Sequence, residues 1–241
     1  MSTIHHKIEH HYQPTNNTCG YTALATLLSY YDIHYTPEEL VDLIPQPKDS
    51  AGTSHGSVTA QLADWCQKQG LNVHMYVSDM YILDLSWAGK TSKQIQERLE
   101  QVKGKRTHQL MDTHWVHVYE DAYLAMLNGG AAITITQFIT TKLVNKLLKD
   151  GPVFVNICSS ALRGKGRTIS PELRESAVDD MKGNINTHSV VVYGMNKTGD
   201  YLVSDPWDGL IEVDPEQLVL AIEAAQIECD NQIFVIKRSD S

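Results

Sequence analysis

The sequence predicts an α+β protein, with a helical first half followed by an antiparallel β-rich second half. From residue 19 to residue 149, apolar residues recur at a helical period in one segment after another. After Gly151-Pro152 they gather instead into short β-branched and aromatic runs separated by turn signals. Size adds a third observation. A chain of 241 residues with 42% hydrophobic and 20% charged residues suits one domain over 1–241, mainly helical over 1–150 and β-rich over 151–241. Such a chain buries roughly 70% of its unfolded surface, so its core needs neither disulfide nor metal.

The elements follow in order. Residues 1–18 are polar and irregular and close on Thr15-Asn16-Asn17-Thr18, residue types that cap helices. Tyr21, Leu24, Leu28 and Tyr31 then share one face of a helix over 19–31. Thr36-Pro37-Glu38-Glu39 is a second helix start, with Thr as N-cap, Pro at the first helical position and Glu at the third; that helix ends before Pro45. A loop over 46–56 leads to a helix over 57–69 that buries Leu62 and Trp65 and stops at Gly70. Residues 71–77 alternate as a strand. Residues 92–103, 120–127 and 140–149 are helices, the second closed by Gly129-Gly130.

In the second half, 153–157, 188–194, 201–204, 210–213 and 232–236 read as strands, with one helix over 215–225. A polar stretch over 159–187 separates the first two strands. It is longer than the ~12–15 residues that compact domains leave without structure, which makes it a candidate lid.

Charge narrows the function. With 20 Lys+Arg against 29 Asp+Glu the net charge is −9, which argues against a nucleic-acid surface and against a polybasic membrane contact. The apolar runs are too short to span a bilayer, and residues 1–6 hold no signal-peptide core. Cys19, Cys66, Cys158 and Cys229 are widely spaced without a Cys-x-x-Cys pair, so they read as free thiols in a reducing cytoplasm. Nothing in the sequence calls for a cofactor.

One constellation carries chemistry. Cys19-Gly20 stands where a loop becomes a helix, and a thiol there feels the positive end of the helix dipole and unpaired N–H groups that favour the thiolate. Gly20 would let a substrate come close to the backbone. Gln13 lies six residues upstream on the same loop. His188 opens one strand and Asp205 ends the neighbouring one, so a hairpin can set the carboxylate beside the imidazole. A His next to a Cys gives an ion pair with a depressed thiol pKa.

The segments Gln13 to Ala23, Thr187 to Gly194 and Asp205-Pro206-Trp207 resemble the papain-like cysteine peptidase superfamily. Within it they are most similar to the bacteriocin-processing (double-glycine leader) peptidase-like family in its stand-alone form, which uses Gln, Cys-Gly, His-x-Val-Val and Asp-Pro in this order. The resemblance implies a helical lobe carrying the Cys, a β-rich lobe carrying the His and Asp, and a cleft between them. It assigns Cys19 as nucleophile, His188 as general base and acid, Asp205 as its orienter and Gln13 as oxyanion donor alongside the Cys19 N–H. It implies a hydrolase acting on a peptide, or on a small amide or thioester, through an acyl-enzyme. Acyl- or peptidyl transfer by the same thiol, and a non-catalytic binding module on the same fold, are the alternatives.

Weaker signals remain. His6-Lys7-Ile8-Glu9-His10 matches a zinc-protease pattern that requires a helix, but at this position it reads as a frayed polar tail. His114 and His117, with His108 nearby, read as a solvated strand face because Val116 and Val118 alternate with His117. Arg163, Lys165 and Arg167 form a basic, Gly-rich loop that would bring positive charge to the cleft mouth. Trp207 is placed to shield the His–Asp hydrogen bond. Cys66 and Cys158 are assigned to the core.

Overall fold

A computed structural model describes residues 3–49, 51–54, 56–79, 81–105, 112–164, 179, 181–183, 185–228 and 231–237. The first half supplies β1 (Ile4–His5), α1 (Cys19–Ser29), α2 (Pro37–Leu43), α3 (Thr59–Lys68), β2 (Asn72–Val77), α4 (Ser92–Val102), α5 (Thr113–Asn128), β3 (Ala132–Ile135) and α6 (Thr141–Leu147). The second half supplies β4 (Val153–Cys158), α7 (Ser159–Arg163), β5 (Thr187–Met195), β6 (Tyr201–Asp205), β7 (Gly209–Val213), α8 (Pro215–Ala224) and β8 (Gln232–Lys237).

The strands form one sheet in the order β3-β2-β8-β4-β5-β6-β7, with β1 added on β5. Every pairing is antiparallel except β2 with β3. The helical and β-rich halves are therefore joined through the sheet. β2 and β3 come from the first 150 residues, and β8 pairs with β2 on one side and β4 on the other.

Alternation along the strands divides the apolar residues between two faces. Phe154, Val191, Phe234 and Ile236 pack under α1 to α5. Val153, Val155, Val190, Val192, Ile233 and Val235 pack under α6, α7 and α8. This accounts for the unbroken apolar run in β4, where every residue is buried because both faces are covered. Phe154 stacks on Phe234 across the central pair at 4.6 Å between ring centroids.

The helix starts read in the sequence are present. In α2 the Thr36 hydroxyl accepts from the Glu39 N–H at 3.2 Å while Glu39 accepts from the Thr36 N–H at 2.8 Å. Thr91 and Gln94 repeat this capping box at α4.

Three expectations are corrected. The pair His114 and His117 lies in helix α5, not on a strand, with Asp112 accepting from the His114 N–H at 2.8 Å. Val116, Tyr119 and Tyr123 form its buried face. His108 lies outside the described residues.

The second correction is β3, which the sequence reading left unassigned. Its four residues are set parallel to β2 after the chain reverses at Gly130, whose φ of +92° only glycine adopts without strain.

The third is the amino-terminal segment, which is strapped down rather than frayed. Its backbone donates from His6 to the Tyr193 carbonyl (2.8 Å), from Glu9 to the Ser29 hydroxyl (2.8 Å) and from Gln13 to the Pro206 carbonyl (2.9 Å). His6 and His10 therefore do not share a helix face. No cluster of three or more His, Cys, Asp or Glu placed to hold a metal occurs among the described residues, nor does a helix long and apolar enough to cross a membrane.

Candidate active site

Cys19 is the first residue of α1 and is half-buried. The residue before it, Thr18, occupies the N-cap position but makes no side-chain cap. Its hydroxyl instead donates to the Thr15 carbonyl at 2.8 Å and holds the preceding loop in a tight turn. The first-turn N–H groups of α1 thus receive no side chain from the N-cap, the setting that stabilises a thiolate. The Gly20 amide, the Ser189 amide of β5 and the side chain of His188 all act on the Cys19 sulfur to favour its thiolate form.

His188 and Asp205 meet across the ends of β5 and β6. His188 Nε2 lies 2.7 Å from Asp205 Oδ1, and the two side chains are 8% and 0% exposed. With Nε2 given to Asp205, Nδ1 is the ring nitrogen left for the sulfur. Asp205 is itself held by backbone: Oδ1 accepts from the Trp207 N–H at 2.8 Å and the Asp208 N–H at 3.3 Å. Its other oxygen, Oδ2, lies 3.3 Å from Arg163 Nη2, and Arg163 Nε donates to Asp208 Oδ2 at 2.6 Å.

The electrostatics agree with this geometry. Burial alone would push the Cys19 thiol up. The hydrogen bond and charge of His188, with the Ser189 and Gly20 amides, outweigh it and leave the thiol below its ordinary value. Burial alone would pull the His188 imidazole down. The charge and hydrogen bond of Asp205, then those of Cys19, carry it well above its ordinary value instead. Burial would raise Asp205, but His188, Arg163 and the Trp207 amide hold it far below the usual carboxylate range. The three groups favour thiolate, imidazolium and carboxylate together.

The remaining residues singled out in the sequence are placed as follows. Gln13 lies on the loop before Cys19, and its side-chain N–H groups donate to the carbonyls of Thr15 (2.8 Å) and Asn16 (3.4 Å) while its oxygen is buried without a hydrogen bond. The space beside Gly20 is filled by the hydroxyl of Ser57 and by Leu62, so the missing side chain serves the packing of α1 against α3 and its approach loop. Trp207 is half-buried and contributes its backbone N–H to Asp205. Arg163 is engaged by two carboxylates and is not a free cation at a cleft mouth. Lys165 and Arg167 lie outside the described residues, as do 165–178, 180 and 184 of the candidate lid. The described ends of that stretch are tied together, the Ser159 N–H donating to the Asn186 carbonyl at 3.0 Å.

The sequence reading missed a buried polar chain behind the site. Ser189 donates to Asn156 Oδ1 at 2.8 Å, and Asn156 Nδ2 donates to the Thr59 hydroxyl at 2.5 Å. All three are buried, and Ser189 is the residue whose amide reaches the sulfur. A polar residue buried this deep persists when its partners are placed. The signal in the sequence was a lone Asn inside Val153-Phe154-Val155-Asn156-Ile157, at odds with a strand covered on both faces.

A cysteine at a helix start, facing a sheet-borne His–Asp pair in an α+β fold, defines the papain-like class. More particularly, the chain belongs to the Peptidase_C39-like family, whose sequence pattern matches residues 5–218. That membership supports a cysteine peptidase. Among solved structures, a candidate C39-like peptidase from Bacillus anthracis matches over 100% of both chains at 12% identity and a TM-score of 0.50. The peptidase domain of Streptococcus ComA, a bifunctional ABC transporter of a quorum-sensing pathway, matches over 98% of this chain and 100% of its own at 12% identity and a TM-score of 0.43. At these identities the likeness is one of fold, and it rests on the first structure. No curated protein matches the sequence.

Proposed function

We propose that the protein is a cysteine peptidase that opens a peptide amide through a thioester acyl-enzyme. The observation that carries this is the relay from Cys19 through His188 to Asp205, with the thiol on an uncapped helix start. The Cys19 thiolate attacks the amide carbon. The His188 imidazolium gives its proton to the leaving amine and then takes one from the water that hydrolyses the thioester. Asp205 fixes the ring and stabilises its charged form. The oxyanion falls to the Cys19 N–H and to Gln13, whose amide turns from the Thr15 and Asn16 carbonyls when substrate arrives.

The test is selective alkylation of Cys19 by a thiol-directed probe at pH 6–7. Cys19 should be alkylated at least ~10²-fold faster in the intact chain than in the His188→Ala variant. Cleavage of a peptide library should disappear in the same variant. Alkylation of Cys19 at an unchanged rate without His188 rules the proposal out. Capture of the acyl group by water rather than an added amine separates hydrolysis from transfer.

A further inference from the structure

Asp205 presents two oxygens, and the structure assigns them different partners. Oδ1 faces His188, while Oδ2 faces Arg163 from α7. Oδ1 is shared between the ring and the Trp207 and Asp208 N–H groups, so without a donor on Oδ2 the carboxylate can turn about its last bond toward those amides and away from the ring. Arg163 is anchored in turn. Its Nε lies on Asp208, on the turn after β6, and α7 is tied to α8 by the Gln217 side chain donating to the Ala161 carbonyl. The result is a row of alternating charge from the surface inward: Asp208, Arg163, Asp205, His188, Cys19.

We propose that Arg163 is a positioning residue for the reaction, holding Oδ2 of Asp205 so that Oδ1 stays on the imidazole. This rests on the peptidase reading of the site, and it replaces the idea of Arg163 as a substrate-facing cation. Among the described residues, the charged and titratable groups around Asp205 are His188 from β5, Arg163 from α7, Asp208 from the turn, and His10 from the amino-terminal segment, which feels the Asp205 charge. Among the described residues only Arg163 brings a fixed charge to the outer oxygen, through Nη2, while its Nε is anchored on Asp208.

Positioning and bare charge predict opposite signs. If Arg163 acts only through space, removing a cation near an imidazolium raises the pKa of His188. If it positions Asp205, removing it lets the carboxylate leave the ring, and the pKa falls.

The experiment is NMR titration of the His188 ring in a Cys19→Ala background, which removes the thiol from the coupling. Arg163→Met should lower the His188 pKa by about one unit or more, as for loss of an opposite charge in contact. Arg163→Lys should restore only part of it, because an ammonium lacks the fork. A rise or no change in Arg163→Met overturns the proposal, as does full rescue by Lys. If Arg163→Met does not fold, judged by melting and by the ring signals of His74 on β2, Arg163→Gln, which also removes the cation but keeps a polar side chain, decides by the same sign. Alkylation of Cys19 in the otherwise unaltered chain reports on the peptidase reading independently, so the two can fail separately.

Discussion

Helices α1 and α2 begin at Cys19 and Pro37 and are finished at their starts in opposite ways. α2 has a complete capping box with proline at the first position and two glutamates in its first turn. α1 has a threonine at the right place that bonds backward into its own loop, and no acid in its first turn. The first arrangement spends every available donor on stability, typically ~1 kcal/mol for such a cap. The second leaves donors over for the sulfur that occupies the next position. A helix start can serve its own stability or an anion beside it, and α2 and α1 show the two uses.

The comparison can be broken from the functional side first. Asp205→Asn keeps the shape of the site and removes the charge that raises His188. The imidazolium then loses its proton at lower pH, so the alkaline limit of kcat/KM should move down toward the ordinary imidazole value of ~6.5, with a loss of at least ~10-fold at pH 8. Asp205 also has a depressed folded pKa. It contributes stability above the ordinary carboxylate value, and that stability is lost as pH falls through the folded one. The Asn variant should therefore show a flatter stability profile in acid. An unchanged alkaline limit would show that His188 does not depend on Asp205.

A smaller effect comes from making α1 resemble α2. Thr18→Asn offers the first turn a side-chain acceptor, in competition with the sulfur. The thiol pKa, read from the pH dependence of Cys19 alkylation, should rise by roughly half a unit, the scale of one helix-end interaction. No rise would mean that the free first turn contributes nothing to the thiolate. The smallest effect belongs to α2. Thr36→Ala should lower stability by about 1 kcal/mol, a drop of ~2–4 °C in Tm for a chain of this size, with Cys19 reactivity unaltered.

Much of this was legible because it is local. The α2 box lies within four residues, and the fixed order of Gln13, Cys19, His188 and Asp205 marks a recognisable pattern. What stayed hidden depends on distant partners. The segment at residues 6–13 is polar and looks loose, yet its bonds go to Ser29, Tyr193 and Pro206, which no window contains. Arg163 read as a free basic residue because its carboxylates lie 42 and 45 residues away. The error at His114 to Val118 has another cause. Five residues can satisfy a period of two and a period of 3.6 together, and only the continuation to Tyr119 and Tyr123 separates them.

The place of β8 bears on the order in which the molecule is made. This strand comes late in the chain, yet it lies between β2 and β4 and bonds to both. Until residues 232–237 have left the ribosome, the β3-β2 pair and the β4-β5-β6-β7 group each present a bare apolar edge, with Met75 and Phe154 beside it. Such edges invite pairing between neighbouring nascent chains. A chain made as far as β7 and not yet through β8 therefore holds two open edges. A chain cut short before β8 would be left with two half-sheets, the thiol helix resting on an unfinished floor.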